Sequence, residues 1–334
     1  MKNPLRLIFC GTPQFAVPTL KELVAAGHEI ALVVSQPDRP VGRNRQLTAP
    51  PVKLAALAAG LPITQPESIR NNPEFRSQIE AIAPDAIVVV AYGRLIPPWM
   101  LALPRLGCIN LHASLLPRYR GAAPIQWAVA MGETVTGNTT MLLEEGLDTG
   151  PILLQQALAI APHQTAVELL DELARGGAQL MVKTLTGLAD GSIQPLPQNH
   201  AGATLAPILN RKDGRMDFDA RTATELKNRW RGFQPWPGAF TALDGKKLIV
   251  HRMEVVDAPG SQESNPAEPA PVQATSTLPG QIRIQDHRLL VACAGNTWLE
   301  LLEVQLEGKK RLAATEFLRG NALADGTHLG TLTQ

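Results

Sequence analysis

Two hydrophobic rhythms divide the chain: in the first half short continuous apolar runs alternate with stretches of helical period, and in the last third short segments alternate apolar and polar positions. Leu5 to Cys10 is an apolar run closed by Gly11-Thr12-Pro13, a helical pattern follows from Phe15 to Ala26, and a second apolar run spans Ile30 to Ser35. That order is a βαβ opening. It continues through a helix from Pro51 to Ala59, a helix before Pro84, the strand Ala86 to Ala91 and the strand Cys108 to His112. Strands apolar throughout are buried on both faces, so the alternation predicts an α/β, doubly wound, mostly parallel, Rossmann-like sheet. Such sheets bind ligands beyond the carboxyl ends of their strands, where Gly11, Tyr92 and His112 fall.

A long amphipathic pattern from Thr165 to Ala189 ends at Asp190-Gly191, and the Pro-rich stretch Ile193 to Pro197 opens a connection lasting to about Pro207. Beyond it, Lys247 to Val250, Gln281 to Ile284, Leu289 to Cys293 and Trp298 to Val304 read as short strands of a small, OB-like β-barrel. The 334 residues exceed one comfortable core. The expected division is a first domain over 1–190, a linker over 191–207 and a second domain over 208–334. Asp257 to Gly280, rich in Pro, Ser, Glu and Ala, reads as a mobile insertion without an assigned function.

Composition changes this picture little. Hydrophobic content of 45% and charged content of 18% describe an ordinary globular protein. A net charge of +1 leaves any nucleic-acid partner to local clusters of Lys and Arg. Cys10, Cys108 and Cys293 are odd in number and lack metal-ligand spacing, so reduced, buried thiols are expected. No apolar stretch is long enough for a membrane span and no signal-peptide pattern precedes the first strand, which makes a cytoplasmic location the expectation.

The chemistry concentrates between Cys108 and Gly150. Asn110 and His112 sit two apart in Cys-Ile-Asn-Leu-His, so a strand turns both side chains to one face and sends Ile109 and Leu111 into the core. Asp148, in Gly-Leu-Asp-Thr-Gly, lies in a segment that turns sharply enough to bring a carboxylate to the imidazole. A carboxamide, an imidazole and a carboxylate supply a polariser, a proton handler and its orienter, the needs of acyl transfer. A lone strand histidine is more often a packed residue; here Ser114-Leu115-Leu116-Pro117 and Arg118 to Pro124 follow it, a proline-fixed loop leading into a helix from Ile125 to Met131. Gly11-Thr12-Pro13 is no dinucleotide fingerprint, because no G-x-G-x-x-G follows the first strand. Glu144, Glu145 and Asp148 have no His or Cys at ligand spacing, so the two glutamates read as a solvated strand end rather than a metal or glycosidase pair.

Gly11-Thr12-Pro13, the loop Ser35 to Pro40, Val88 to Gly93, Cys108 to Pro124 and Gly146 to Gly150 together resemble the methionyl-tRNA formyltransferase family. The likeness extends to Gly214-Arg215-Met216-Asp217-Phe218, Phe233 to Gly238 and Gly308-Lys309-Lys310. The Asn, His and Asp pattern with Ser-Leu-Leu-Pro belongs to the wider group of enzymes that use 10-formyltetrahydrofolate, and the second domain narrows it to the initiator-tRNA branch. The resemblance implies that Asn110, His112 and Asp148 are catalytic and that the pterin lies against Tyr92 and Gly93, the Ser114, Leu115, Leu116 and Pro117 loop, and the Asp148 segment. It implies 10-formyltetrahydrofolate as cosubstrate, no metal, initiator methionyl-tRNA as acceptor, and a monomer without an obligatory protein partner. It also places the Pro37 to Thr48 loop on the acceptor end through Arg43 and Arg45, with a basic stripe from Arg211-Lys212, Arg229-Trp230-Arg231, Lys246-Lys247 and Lys309-Lys310-Arg311. Two departures stand out: Arg43-Asn44-Arg45 where relatives often carry a lysine-rich loop, and Trp127 where some carry a basic residue. The rival readings are a folate-dependent formyltransferase for a sugar nucleotide or small amine, and a non-catalytic RNA-binding protein.

Overall fold

The computed structural model describes residues 4–42, 45–259 and 277–330. They form two compact units: one of Met1–Ile125, Thr134–Pro162 and Glu168–Ile208, the other of Gln126–Glu133, His163–Val167 and Leu209–Gln334. Most of the expected Asp257 to Gly280 insertion, residues 260–276, lies outside the described residues.

Unit 1 is built on strands β1 (Arg6–Gly11), β2 (Glu29–Val34), β3 (Arg39–Val41), β4 (Gln46–Thr48), β5 (Ile63–Thr64), β6 (Ala86–Val90), β7 (Cys108–His112), β8 (Val135–Leu142) and β9 (Ile152–Ala159). Its helices are α1 (Val17–Ala25), α2 (Pro51–Ala58), α3 (Pro73–Ile82), α4 (Pro98–Leu101), α5 (Pro124–Ala130), whose last turns fall in unit 2, and α6 (Ala166–Asp190). The seven-stranded sheet runs β5-β2-β1-β6-β7-β8-β9, with β5 to β7 parallel and β8 and β9 added antiparallel. Every residue of β6, Ala-Ile-Val-Val-Val, is buried, as a strand covered on both faces requires. α3 starts where Asn72 Oδ1 accepts from Phe75 N at 3.0 Å, with Pro73 preset to helical φ.

The sequence pattern does not announce the β8–β9 hairpin: it gives Glu144 and Glu145 as a solvated strand end and a sharp turn at Asp148, with no strand on either side of them. β8 is Val-Thr-Gly-Asn-Thr-Thr-Met-Leu and buries Thr136, Asn138, Thr139 and Thr140, so it shows neither an apolar run nor a clean alternation. Partners in the fold offset part of that burial: Asn138 Nδ2 donates to Leu173 O at 2.9 Å, Thr139 Oγ1 to Ser114 O at 2.6 Å, and Thr140 Oγ1 meets Thr184 Oγ1 at 2.7 Å, while Thr136 Oγ1 and Asn138 Oδ1 have no partner among the described residues. Residues 191–207, expected as a linker, pair with unit 1. Leu196 and Ile152 exchange backbone hydrogen bonds at 2.8 Å, and Arg120 N donates to Thr204 O (2.8 Å) while Arg120 O accepts from Ala206 N (2.7 Å).

Unit 2 contains α7 (Ala223–Gly232), β10 (Ala239–Leu243), β11 (Lys246–Val256), β12 (Ile282–Gln285), β13 (Arg288–Cys293), β14 (Thr297–Leu306), β15 (Leu312–Ala313) and α8 (Ala314–Gly320). Its six-stranded antiparallel sheet is ordered β10-β11-β14-β13-β12, with β15 on β14. The two edges meet through the chain end, since Gly330 pairs with Ala242 of β10 and His328 with Gln281 beside β12. The sheet therefore closes on itself as a barrel around Leu248, Val250, Met253, Val291, Leu299 and Leu301.

Candidate active site

The sequence sets Asn110 and His112 on β7, and the fold puts that strand near the middle of the sheet, paired with β6 and β8. Neither face of β7 is simply open: Leu111 packs toward Gly177 of α6, where an added Cβ would come within 2.6 Å of its methyl, and Cys108, on the Asn110 side, is buried in the core. Asn110 is half-buried, and its carboxamide makes no side-chain hydrogen bond among the described residues.

His112, 6% exposed, closes the strand. Its Nε2 lies 2.9 Å from the carbonyl of Tyr119. A carbonyl only accepts, so Nε2 carries the proton and donates to it. Nδ1 is thereby turned to Asp148, whose Oδ2 stands 3.7 Å away. That separation is longer than a direct hydrogen bond, and the carboxylate is also engaged elsewhere: Oδ2 accepts from the backbone N–H of Gly121 at 2.8 Å. Asp148 lies between β8 and β9 at φ 50°, a left-handed conformation that aspartate tolerates better than most residues. The loop closes tightly, since a Cβ on Gly150 would stand 2.0 Å from Leu142 O. Glycine is obligatory there.

The loop after His112 is held by its own polar groups. Ser114 Oγ donates to Arg118 O at 2.6 Å, Leu116 N donates to Thr139 Oγ1 at 3.1 Å, and Gln155 Nε2 donates to Leu116 O at 2.9 Å. Leu115 and Pro117 are half-buried, Leu116 is buried, and the Leu116-Pro117 peptide is cis. The Ser114 hydroxyl is thus committed to the loop. Tyr92 is buried in the core, where burial pushes its phenol pKa up and its hydroxyl has no partner among the described residues. Its carbonyl, at the strand end, accepts from Thr12 Oγ1 (3.0 Å) and Gln36 Nε2 (3.2 Å). Gly93 follows at φ 85°, exposed.

Arg45 is exposed at φ 49° in the turn joining β3 to β4, and Arg43 lies outside the described residues. The basic stripe changes in membership. Arg229 lies 4.8 Å over the Phe233 ring and 5.7 Å over Trp127, which stacks edge-on against Phe233. Arg231, 5% exposed, donates to Gln164 O and Asn228 Oδ1, both at 2.7 Å. These two arginines pack unit 2, and Trp127 packs with them. Arg211, Lys212, Lys246, Lys309 and Lys310 remain exposed. Arg311 is paired with Glu303. Burial, then the charge of Arg211, holds Lys247 below its ordinary pKa.

Sequence reasoning missed the residues that support the site. Arg120, 7% exposed, donates from Nη2 (2.6 Å) and Nε (3.2 Å) to Gln198 Oε1, and Gln198 Nε2 donates to the carbonyls of Asp148 (2.9 Å) and Gly150 (2.7 Å). A single Gln fifty residues away from the loop it holds carries no local signal.

A family profile described as formyl transferase matches residues 5–185, and one described as formyl transferase, C-terminal domain, matches residues 208–322. A methionyl-tRNA formyltransferase of Acidobacterium capsulatum is 62% identical over 326 residues, covering 98% of this chain and 100% of the relative. One of Koribacter versatilis is 55% identical, covering 98% and 99%. Among solved structures, an N-formyltransferase from Helicobacter canadensis in complex with folinic acid and dTDP-3-aminofucose superposes with a TM-score of 0.60 at 15% identity, covering 89% of this chain and 98% of that one. That likeness is one of fold.

Proposed function

This chain belongs to the formyl transferase family, and on that premise we propose that it transfers the formyl group of 10-formyltetrahydrofolate to the free α-amino group of initiator methionyl-tRNA. The observation that carries the chemistry is the buried His112 between the Tyr119 carbonyl and Asp148, beside the uncommitted carboxamide of Asn110. The acceptor follows from full-length similarity to methionyl-tRNA formyltransferases at up to 62% identity.

The amine nitrogen attacks the formyl carbon, the new C–N bond forms, and the bond from that carbon to folate N10 breaks. The proton lost by the amine ends on N10. Between these events the formyl oxygen carries negative charge. The Asn110 carboxamide is the donor for that oxyanion, an effect of about 3 to 4 kcal/mol for one preorganised donor. His112, through Nδ1, takes the amine proton and returns it to the leaving group, worth roughly two to four decades in rate. Asp148 keeps the imidazole facing the reacting atoms. The pterin edge reads backbone groups near Tyr92, Gly93 and the Ser114 to Pro117 loop, and the folinic acid bound by the Helicobacter canadensis enzyme supports a reduced folate as donor. Arg43, Arg45 and the exposed Arg211, Lys212, Lys246, Lys309 and Lys310 contact tRNA phosphates. The working form is a monomer of the cytoplasm, where translation begins; among the described residues no helix is long and apolar enough to cross a membrane.

A dTDP-amino sugar is the second acceptor to test, because of the Helicobacter canadensis neighbour. Single-turnover transfer from labelled 10-formyltetrahydrofolate decides between them. Formylation of initiator methionyl-tRNA, and neither elongator methionyl-tRNA nor the amino sugar, is the expected result. Transfer to the amino sugar alone overturns the proposal.

A further inference from the structure

The Pro-rich connection after α6 buries one polar side chain, Gln198, 6% exposed between the exposed Pro197 and Asn199. Its amide uses its whole hydrogen-bonding capacity. Oε1 accepts twice from the buried Arg120 guanidinium, and Nε2 donates once to Asp148 O and once to Gly150 O. The same connection grips the loop that bears the histidine's acceptor: Thr204 Oγ1 accepts from Tyr119 N at 2.8 Å, and His200 Nδ1 lies 3.1 Å from Arg120 Nη2. Both loops that orient His112, Tyr119 to Gly121 on one side and Asp148 to Gly150 on the other, are therefore tied to one strap, and Gln198 is where the ties meet.

We infer that Gln198 is a positioning residue for formyl transfer: it sets the Asp148 carboxylate against His112 by clamping the backbone of the β8–β9 turn to Arg120. The inference rests on the proposed reading of His112 and Asp148 as the reacting pair. Asp148 holds φ 50° without being glycine, and such a conformation persists where surrounding bonds over-determine it. The bond from Gln198 to the Asp148 carbonyl supplies that restraint directly. Releasing it frees the turn to move the carboxylate, and a displacement of about 1 Å at a catalytic group costs on the order of a hundredfold in rate.

Gln198→Glu separates this role from plain stability. The carboxylate has the same shape and still accepts from Arg120, now as an ion pair, but it presents acceptors where Nε2 donated to two carbonyls. The expected result is a kcat lowered roughly 10- to 100-fold, with KM for folate and tRNA within about twofold, because the lost contact acts on the transition state. Thermal stability should match the parent, and faster amide exchange should appear at Gly121 and across residues 146–150 while the rest of unit 1 is unchanged. Gln198→Ala should share the kcat loss and also lower the melting temperature. Parental kcat and exchange in Gln198→Glu overturn the inference, as does a rate loss accompanied by faster exchange throughout unit 1. If the parent formylates no methionyl-tRNA, the functional reading fails, and the exchange measurement still decides whether Gln198 holds the turn.

Discussion

The β7–β9 end of unit 1 and the barrel of unit 2 both carry charge, and they use it in opposite ways. Around His112 most polar groups are withdrawn from solvent and fastened to distant segments, His112 to Tyr119 O, Asp148 to Gly121 N and Arg120 to the Gln198 carboxamide, with Asn110 left uncommitted. In unit 2 the cations divide into Arg229 and Arg231, absorbed into packing, and Arg211, Lys212, Lys246, Lys309 and Lys310, left in solvent. Fixed dipoles in a dry site act at one geometry and resist screening. Solvated charges act at long range, tolerate sloppy geometry and are weakened by salt. One region is therefore expected to govern kcat and the other the encounter with a polyanion.

The sharpest way to break this contrast is at the histidine. His112→Ala should lower the single-turnover rate by about two to four decades at any salt concentration, with tRNA affinity in a filter-binding assay unchanged. A variant that lost affinity instead would put His112 in recognition. In unit 2 the largest effect should come from packing rather than charge: Phe233 is fully buried between Arg229 and Trp127. Phe233→Ala should cost about 3 to 5 kcal/mol in denaturant unfolding of that unit. Removing exposed cations is milder. Each of Lys309→Ala and Lys310→Ala should reduce the slope of log affinity for tRNA against log salt by about one and leave kcat alone. An unchanged slope would remove them from the interface.

The smallest effect is a pH dependence at the start of α7. Thr222 and Glu225 form a capping box, and the Thr222 backbone N–H, then its hydroxyl, lowers the Glu225 pKa. A depressed carboxylate contributes stability above its unfolded value of about 4.3 and loses it as pH falls through the folded one. Thr222→Ala should cost about 1 kcal/mol at neutral pH. Part of that difference, seen as a gap in melting temperature between parent and variant, should close as the solution is acidified below the ordinary carboxylate range.

Much of this molecule was legible from its sequence, for a physical reason: parallel strands buried on both faces must be largely apolar, so β1, β2 and β6 announced themselves. Asn110 and His112 were equally readable, because their shared side follows from the two-residue repeat of a strand. The β8–β9 hairpin was not, since Asn138, Thr139 and Thr140 look like surface until Leu173, Ser114 and Thr184 supply them with partners. Nor could spacing distinguish the arginines of the expected stripe. Arg229 and Arg231 read as basic, and only the ring of Phe233 and the carbonyl of Gln164 make them interior.

By itself, then, the sequence determined what is local: which runs are strands, which two side chains share a strand side, and where glycine permits a turn at Asp148. Tertiary structure alone decided what is paired across distance. It placed the Asp148 carboxylate 3.7 Å from His112 Nδ1 and on the Gly121 amide, and it turned a proline-rich connection into the strap that carries Gln198 to Arg120 and the Asp148 carbonyl. Backbone period and residue size are fixed by covalent chemistry and can be read in one dimension. Hydrogen bonds between segments fifty or more residues apart exist only after the chain has folded.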